Sequence, residues 1–262
     1  MFENSNLSNL KAESDPMDRI TTLMNRFHRH VHVATLDGAD LVILGDANNQ
    51  PAHILFYPRS KGAHRPTGAE LWYASVDWAG DNNPIRTALP EVVDFDLTQD
   101  VQTQALVSVI LQESGQSRCG AQWVLNRLGD VLLVRLLRDQ LQRGSTEPGL
   151  IAGLADERLS RAIVAMHDHP GKIWTNADLA TEAGLSLSRF NELFARQVGE
   201  TPMSYLRRWR LALAQQDLAQ GHRVDSVARR YGYSSPEAFS RAFKKSYGTT
   251  PITMRVTSLA AE

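Results

Sequence analysis

The hydrophobic and polar positions of the chain repeat themselves in its last third. The pattern Ala-x3-Gly-x-Ser, followed by Phe-x3-Phe-x4-Gly-x2-Pro, occupies residues 180–202 and returns over 228–251. The Ala, Gly and Ser recur after 48 residues, and after one inserted residue the two Phe, the Gly and the Pro recur after 49. A repeat at this spacing indicates one supersecondary unit used twice. Its helix, glycine turn and second helix predict a helix-turn-helix.

The second helix of each unit has one apolar and one polar face. At 100° per residue, the apolar positions of 187–198 fall together, and so do those of 236–247. The outward positions are Ser188, Arg189, Asn191, Glu192, Ala195 and Arg196 in the first unit and Glu237, Ala238, Ser240, Arg241, Lys244 and Lys245 in the second. A single amphipathic helix is typical of core packing. The duplicated unit with basic outer faces instead favours a nucleic-acid interface.

Local signals mark the ends of these helices. Gly184 and Gly232 occupy the turns, where the backbone needs a positive φ that glycine adopts at little cost. Thr175 with Asp178 predicts a capping box before the first turn, and Ser234 with Glu237 predicts another after the second turn. Between the units, Thr201 and Pro202 fit the N-cap and first position of a long connecting helix over 202–220, which Gly221 ends.

These residues carry a family resemblance. Residues 156–256 resemble the DNA-binding region of AraC/XylS-type transcription regulators, and the family signature is matched over 227–251 by VARRYGYSSPEAFSRAFKKSYGTTP. The resemblance implies seven helices, with the second helix of each unit in the major groove of DNA. The contacts then expected are Ser188, Arg189, Asn191, Glu192 and Arg196 from the first unit and Glu237, Ser240, Arg241, Lys244 and Lys245 from the second. Asn pairs with adenine, Arg with guanine and Glu with cytosine.

Other basic positions are expected to contact the DNA backbone. At least one of the two lysines Lys244 and Lys245 is expected to contact a phosphate. On the connecting helix, Arg207, Arg208 and Arg210 either touch phosphates or form a solvated face.

The first hundred residues contain four segments with the composition of strands, at 29–36, 41–44, 52–57 and 70–78, after a short helix over 18–25. They are rich in Val, Ile, Leu, Tyr and Trp and are separated by turn residues, which predicts a small antiparallel β domain. With the helices that follow and the stretch 83–90, this part resembles the cupin-like sensor domain attached to some AraC-type regulators.

Two side-chain groups in this part are candidates for ligand binding. His28, His30 and His32 alternate and would share a strand face, yet a metal-binding cupin would carry a Glu a few residues later, and the next Glu is Glu70. We therefore assign no metal. The aromatic residues Tyr57, Trp72 and Trp78 either line an effector pocket or fill the core of the β domain.

A pair of helices is predicted over 99–114 and 121–142. The apolar residues of the second helix cover more than half of its circumference, which is wider than one buried stripe. The helix therefore needs a second burial partner. Either the same helix of another subunit supplies it, which predicts a homodimer, or the helix packs on both the β domain and the C-terminal half.

Composition agrees with a two-domain globular protein of 262 residues, with 42 % hydrophobic and 22 % charged residues. The net charge of −1 divides into −5 over residues 1–150 and +4 over 151–262, so the half with the repeat is the basic one. Cys119 is the only cysteine and excludes an internal disulfide. The start lacks the features of a signal peptide, and no apolar run approaches 18 residues, so we expect a cytoplasmic protein.

The sequence thus predicts an α+β chain: a small antiparallel cupin-like β domain with a helical pair, followed by an all-α, seven-helix, double helix-turn-helix domain. The expected parts are a disordered lead (1–16), a sensor domain (17–97), a dimerising helical pair (98–143), a linker (144–153) and the DNA-binding domain (154–256). The predicted function is a sequence-specific transcription regulator, not an enzyme and without a cofactor. Its expected partners are double-stranded DNA, an unidentified small-molecule effector and a second copy of the chain, with RNA polymerase as a further candidate.

Three alternatives remain at this point. A cupin-type metal oxygenase fused to a DNA-binding domain lacks a complete His and Glu ligand set. A DNA-repair alkyl acceptor would need a nucleophilic cysteine, for which only Cys119 is available. An architectural DNA binder would need no effector and would show little sequence preference.

Overall fold

The computed structural model describes residues 18–59, 68–78, 83–116, 118–144 and 147–259, with the side chains of 28, 29 and 256–259 outside the description. The lead predicted over 1–16 lies outside the described residues. Within them, five antiparallel strands form one sheet in the order β1-β4-β2-β3-β5. The strands are β1 (His28–Val33), β2 (Leu41–Gly45), β3 (Pro51–Phe56), β4 (Ala69–Trp78) and β5 (Val93–Asp96).

Strand β5 is the one that the sequence pattern did not predict. It has four residues and pairs with β3, with Ile54 opposite Phe95 and Phe56 opposite Val93. Val93 and Phe95 are buried whereas Asp94 between them is exposed, so the alternation of a half-buried strand is present but short. The other four strands confirm the predicted segments with small shifts of their ends.

The two faces of the sheet bury different sets of side chains. One face contributes Leu41, Ile43, Ile54, Phe56, Trp72 and Ala74 to the main core of the chain. The other face holds a separate small cluster of Ala39, Val42, Leu44, Leu55 and Tyr57. Helices α1 (Thr21–Phe27), α2 (Pro84–Ala88), α3 (Val101–Ser114) and α4 (Ala121–Arg143) share the main core with the first face.

Helix α4 packs closely against β1. A Cβ atom at Gly129 would lie 2.6 Å from Cγ1 of Val31, so the absence of a side chain there lets helix and strand approach. The amide of Val31 donates to the carboxylate of Asp130 at 2.7 Å. The sheet and α3 therefore cover much of the wide apolar surface of α4, while Trp123 (67 %) and Val131 (49 %) stay exposed.

The rest of the described chain is helical: α5 (Leu150–Ala155), α6 (Glu157–Asp168), α7 (Asn176–Ala183), α8 (Leu187–Val198), α9 (Pro202–Ala219), α10 (Val224–Arg230), α11 (Pro236–Tyr247) and α12 (Pro251–Leu259). The seven helices from α6 to α12 match the number that the resemblance implied. The expected start of the DNA-binding domain, residue 154, lies inside α5, and α6 begins at Glu157. The helical conformation is interrupted at Asp156. Its carboxylate accepts hydrogen bonds from the amides of Arg158 and Leu159 and caps α6. Residues 150–153, predicted as linker, belong to the buried helix α5.

The β-sheet half and the helical half meet in one continuous core. The ring of Phe27 in α1 lies 4.8 Å from that of Trp209 in α9. Beside it, the Thr22 hydroxyl donates to Asp168 at 2.6 Å, and the Arg19 guanidinium donates to the carbonyl oxygen of Leu154 at 2.9 Å. Helix α1 is therefore bonded to α6, and Arg19, just before α1, is bonded to α5.

Candidate nucleic-acid interface

The two helix-turn-helix units, α7 with α8 and α10 with α11, use the same turn. Gly184 has φ 65° and Gly232 has φ 71°, as the sequence predicted. In each unit the amide after the glycine bonds back to the preceding helix, from Leu185 to the carbonyl oxygen of Ala180 at 2.9 Å and from Tyr233 to that of Ala228 at 3.0 Å. A glycine at positive φ, followed by an amide that bonds back to the last turn, is a common C-cap of α-helices. Both units therefore turn the chain by the same local geometry.

The residue inserted between the repeats lies in the second turn. Ser186 caps α8 by accepting the amide of Arg189, and α11 is capped by Ser235, which accepts the amide of Ala238 at 3.1 Å. Ser186 and Ser235 are 49 residues apart, so Ser234 is the extra residue. The predicted capping box of Ser234 with Glu237 is therefore wrong. A hydrogen bond with the Ser235 side chain lowers the pKa of Glu237. The capping box of Thr175 and Asp178 is confirmed, with both reciprocal bonds present.

The apolar faces of α8 and α11 bury paired phenylalanines, which fixes the direction of the outer faces. The ring centroids of Phe190 and Phe194 are 5.6 Å apart, and so are those of Phe239 and Phe243. Leu187, predicted to face inward, is 48 % exposed because it lies in the first turn of α8.

The outer face of α8 carries a carboxylate between two guanidinium groups. Glu192 lies 3.0 Å from Nη1 of Arg189 and 3.7 Å from Nη1 of Arg196, and all three side chains are about half-exposed. Exposed pairs of this kind add little stability, but here the carboxylate cancels one of two positive charges. Ser188 is exposed beside them, whereas Asn191 is partly buried, with an Oδ1 that has no hydrogen-bond partner within the described residues.

The outer face of α11 is more positive. Arg241, Lys244 and Lys245 are exposed, and among the described residues no carboxylate lies within ion-pair distance of them. Glu237 stays near the N-terminus of the helix, where an anion is favoured by the helix dipole. Ser240 is partly buried at the edge of this face. The second unit therefore offers its cations to a polyanion without first breaking an ion pair.

The three arginines of the connecting helix α9 differ in their surroundings. Arg207 is exposed. Arg208 donates to Glu200 at 2.7 Å and lies over the ring of Tyr205. Arg210 is partly buried and donates from Nε to the carbonyl oxygen of Pro170 at 2.6 Å and from Nη2 to that of Lys172 at 2.7 Å. These bonds direct the Arg210 guanidinium toward backbone carbonyl oxygens.

Sequence reasoning missed a second arginine of this kind. Arg161 in α6 donates to the carbonyl oxygen of Ala183 at 2.8 Å, beside Gly184. It precedes Arg210 by 49 residues, the same shift that relates the paired phenylalanines. Extending the repeat backwards along the sequence would have found this pair.

The predicted effector-site aromatics do not lie together. Trp72 is buried in the main core and Tyr57 belongs to the cluster on the opposite face of the sheet. Trp78 is partly buried, with its ring 6.3 Å from that of Phe56. Consecutive strand residues point to opposite faces, and Phe56 is on the core face, so Tyr57 points away from it. Among the described residues, Tyr57 and Trp72 therefore lie on opposite faces of the sheet and do not line one common pocket.

The histidine strand has an irregular register. The pairing of β1 with β4 shifts between His28 and His30, and Nε2 of His30 lies 4.0 Å from Asp77. Across the part of the chain that the structure describes, no three His, Cys, Asp or Glu side chains are grouped as a metal site would need. None of the described helices has the length and apolar composition needed to cross a bilayer.

Comparison with known proteins gives two family matches. A helix-turn-helix domain family matches residues 179–256, and a cupin family matches residues 29–142. A putative AraC-like transcription regulator from Streptomyces lividans is 35 % identical over 167 residues, which are 62 % of this chain and 55 % of that protein. The transcriptional regulator AlkR of Acinetobacter baylyi is 30 % identical over 174 residues, 64 % of this chain and 57 % of AlkR.

In both of these relatives the match spans little more than half of the relative's length. The transcriptional regulator MtrA of Neisseria gonorrhoeae is 29 % identical over 253 residues, 84 % of each chain. Among solved structures, the DNA-binding domain of AdpA in complex with a target DNA is 27 % identical and covers 42 % of this chain and 96 % of that one, with a TM-score of 0.38.

Proposed function

Because this chain belongs to the AraC family of helix-turn-helix transcription regulators, with a cupin domain ahead of the DNA-binding helices, we propose that it regulates transcription by binding one operator through both α8 and α11. The observation that carries the proposal is the pair of equivalent units on one connecting helix, each presenting a polar, cationic outer face. Two such helices on one rigid support can enter successive major-groove segments of the same duplex. The proposed role is binding, with no catalytic step.

The outer faces of the two units differ in charge, and we expect them to contribute differently to DNA binding. In α11, Arg241 lies at the position equivalent to Glu192 and is proposed to read a guanine, since a guanidinium pairs bidentately with O6 and N7. Lys244 and Lys245 supply phosphate attraction. In α8, Glu192 reads cytosine or restrains its two arginine neighbours, so the first unit contributes more discrimination than affinity.

The remaining predicted contacts are proposed with smaller roles. Ser188, Ser240 and Glu237 lie along the outer faces and can bond to base edges or sugars, and Asn191 can do so only if its partly buried amide turns outward. Of the arginines on α9, Arg207 is the best candidate for a phosphate contact because it is exposed and makes no hydrogen bond that the described residues record.

A second copy of the chain is the proposed partner of the N-terminal half. The apolar side chains of Trp123 and Val131 are exposed on α4, and those of Val101 and Val109 are exposed on α3. Exposed apolar residues on neighbouring helices support an interface. We propose that the cupin domain also binds a small-molecule effector in the cytoplasm, and that RNA polymerase is a further partner where the regulator activates.

The proposal is tested by selecting bound sequences from random DNA and then footprinting the protein on the most enriched sequence. Two protected major-groove segments about 34 Å apart are expected for each chain. Replacing Arg241, Lys244 and Lys245 by Ala should remove one segment, and replacing Arg189 and Arg196 by Ala should remove the other. A single protected segment per chain would contradict bipartite binding. Recovery of no enriched sequence would favour the architectural binder instead.

A further inference from the structure

The two helix-turn-helix units touch each other away from their outer faces. The loop that leads into α7 of the first unit, residues 170–172, lies against the end of α10 and the turn of the second unit. A Cβ atom at Gly171 would lie 2.3 Å from the carbonyl oxygen of Arg230, and one at Gly232 would lie 2.8 Å from the carbonyl oxygen of Gly171. Backbone approaches this close leave no room for a side chain, so both positions require glycine.

One side chain joins this contact to the connecting helix. Arg210 stands at the middle of α9, and its guanidinium donates to the carbonyl oxygens of Pro170 and Lys172, on either side of Gly171. The same group lies 3.1 Å (Nη2) and 3.4 Å (Cζ) from the position of a Cβ at Gly232. Arg210 therefore contacts the loop of the first unit and the turn of the second at once. Its two hydrogen bonds fix the loop on α9, and the planar guanidinium packs against the turn of the second unit, so it restrains the position of one relative to the other.

We infer that Arg210 is a positioning residue that fixes the angle between the two units, and through it the separation of the two DNA segments that the chain accepts. The inference rests on the proposed bipartite binding. Orientation matters because each base pair inserted between two half-sites rotates the second by about 35° around the duplex. A pair of units held at one angle tolerates one spacing, whereas units that can rotate against each other tolerate several.

Arg161 offers a matched control. It makes the same kind of bond, from Nη2 to the carbonyl oxygen of Ala183, and lies 3.1 Å from the position of a Cβ at Gly184. All of these partners belong to the first unit. Loss of Arg161 should therefore weaken one unit and leave the angle between the units unchanged.

The test measures the affinity of the full chain for a series of operators with two base pairs removed to two base pairs added between the half-sites. The wild-type chain should prefer one spacing by about tenfold or more, comparable to the effect of a mismatched base pair. Arg210→Ala should reduce this preference to about threefold or less, a lowering that Arg161→Ala should not share. Arg161→Ala should weaken every spacing by the same factor.

Two further readouts separate the outcomes. Because its guanidinium is bonded to carbonyl oxygens, Arg210→Ala should leave the salt dependence of binding unchanged, whereas loss of a phosphate contact would reduce the slope by about one unit. If Arg210→Ala does not fold, as judged by circular dichroism, Gly171→Ala in its place should relax the spacing preference by pushing the loop off α10. A variant that keeps the wild-type spacing preference overturns the inference. A wild-type chain without any spacing preference shows instead that bipartite binding has failed, and the inference with it.

Discussion

Acid should destabilise this protein through one buried imidazole. His167 in α6 is 1 % exposed, its Nε2 lies 2.6 Å from the hydroxyl oxygen of Tyr205, and its ring stacks on Trp209 with centroids 3.7 Å apart. Burial, together with the nearby charge of Arg208, lowers the pKa of His167 from 6.5 to about 3. The native protein therefore holds this ring neutral across the physiological range.

The sign and size of the effect follow from proton linkage. In the unfolded chain the imidazole has a pKa near 6.5, so the unfolded state binds a proton below that pH. The native state binds it only near pH 3. The contribution of neutral His167 is fully present above pH 6.5 and is lost progressively as the pH falls toward 3. Each pH unit costs about 1.4 kcal/mol, so the free energy of unfolding should fall by about 2 kcal/mol between pH 7.5 and pH 5 from this residue alone.

Urea unfolding of the wild type and of His167→Phe at pH 7.5, 6 and 5 measures this contribution. Phenylalanine keeps a ring against Trp209 and cannot titrate. It leaves the Tyr205 hydroxyl unpaired at every pH, so that cost cancels when the two pH values are subtracted. Capping carboxylates with lowered pKa values, such as those of Asp156 and Asp178, titrate in both proteins and cancel too.

The loss of unfolding free energy between pH 7.5 and pH 5 should be about 2 kcal/mol larger in the wild type than in the variant. His222→Gln changes an exposed histidine just after the end of α9 and should behave as the wild type. Equal pH dependence in the wild type and His167→Phe would refute the reasoning.

The remaining predictions concern the proposed dimer and DNA interfaces. Trp123→Glu should convert a dimer to a monomer in sedimentation velocity at micromolar concentration, and the monomer should keep its fold because the side chain is exposed within one chain; a monomeric wild type would count against the dimer. Among the groove residues, Arg241→Ala should cost about 1–3 kcal/mol and relax preference at one base pair, while Lys245→Ala weakens all sequences alike and lowers the salt slope by about one unit. Glu192→Gln frees the two arginines of α8 and should lose discrimination while keeping or raising non-specific affinity. An Arg241→Ala protein with unchanged base preference in binding to single-base variants would show that Arg241 is not a reader.

The helix-turn-helix units could be predicted because local rules decide them. A turn that needs positive φ favours glycine, and the helix that follows favours a hydroxyl or carboxylate at its N-cap. These residue types therefore predict the position of each turn from the sequence. The same rules fail where two residues qualify equally. Ser234 and Ser235 are adjacent and chemically identical, and only the backbone geometry shows that Ser235 accepts the amide of Ala238.

Contacts made by backbone groups from distant segments could not be predicted in this way. Arg210 falls on α9 among other arginines, and its residue type favours phosphate as much as any other acceptor. Its actual acceptors are the carbonyl oxygens of Pro170 and Lys172, about 40 residues earlier, which leave no trace in the pattern of side chains. Strand β5 could not be predicted for a related reason. Its four residues give too short an alternation of buried and exposed side chains, and the strand is defined by its pairing with β3.

The segment predicted as a linker, residues 144–153, leads into a closely packed contact of α5 with α6 and α8. Helix α5 is buried and contacts α4 on one side and α8 on the other. A Cβ at Gly153 would lie 2.7 Å from Ile163 and 2.8 Å from Val198, the last residue of α8, and the Gly149 amide donates to the carbonyl oxygen of Gln197 at 2.8 Å. Because interiors are close-packed, the contact of α5 with α6 and α8 leaves little room for α5 itself to shift. If the proposed effector or second subunit moves α4 far enough to displace α5, the displacement should therefore shift the end of the first DNA-facing helix.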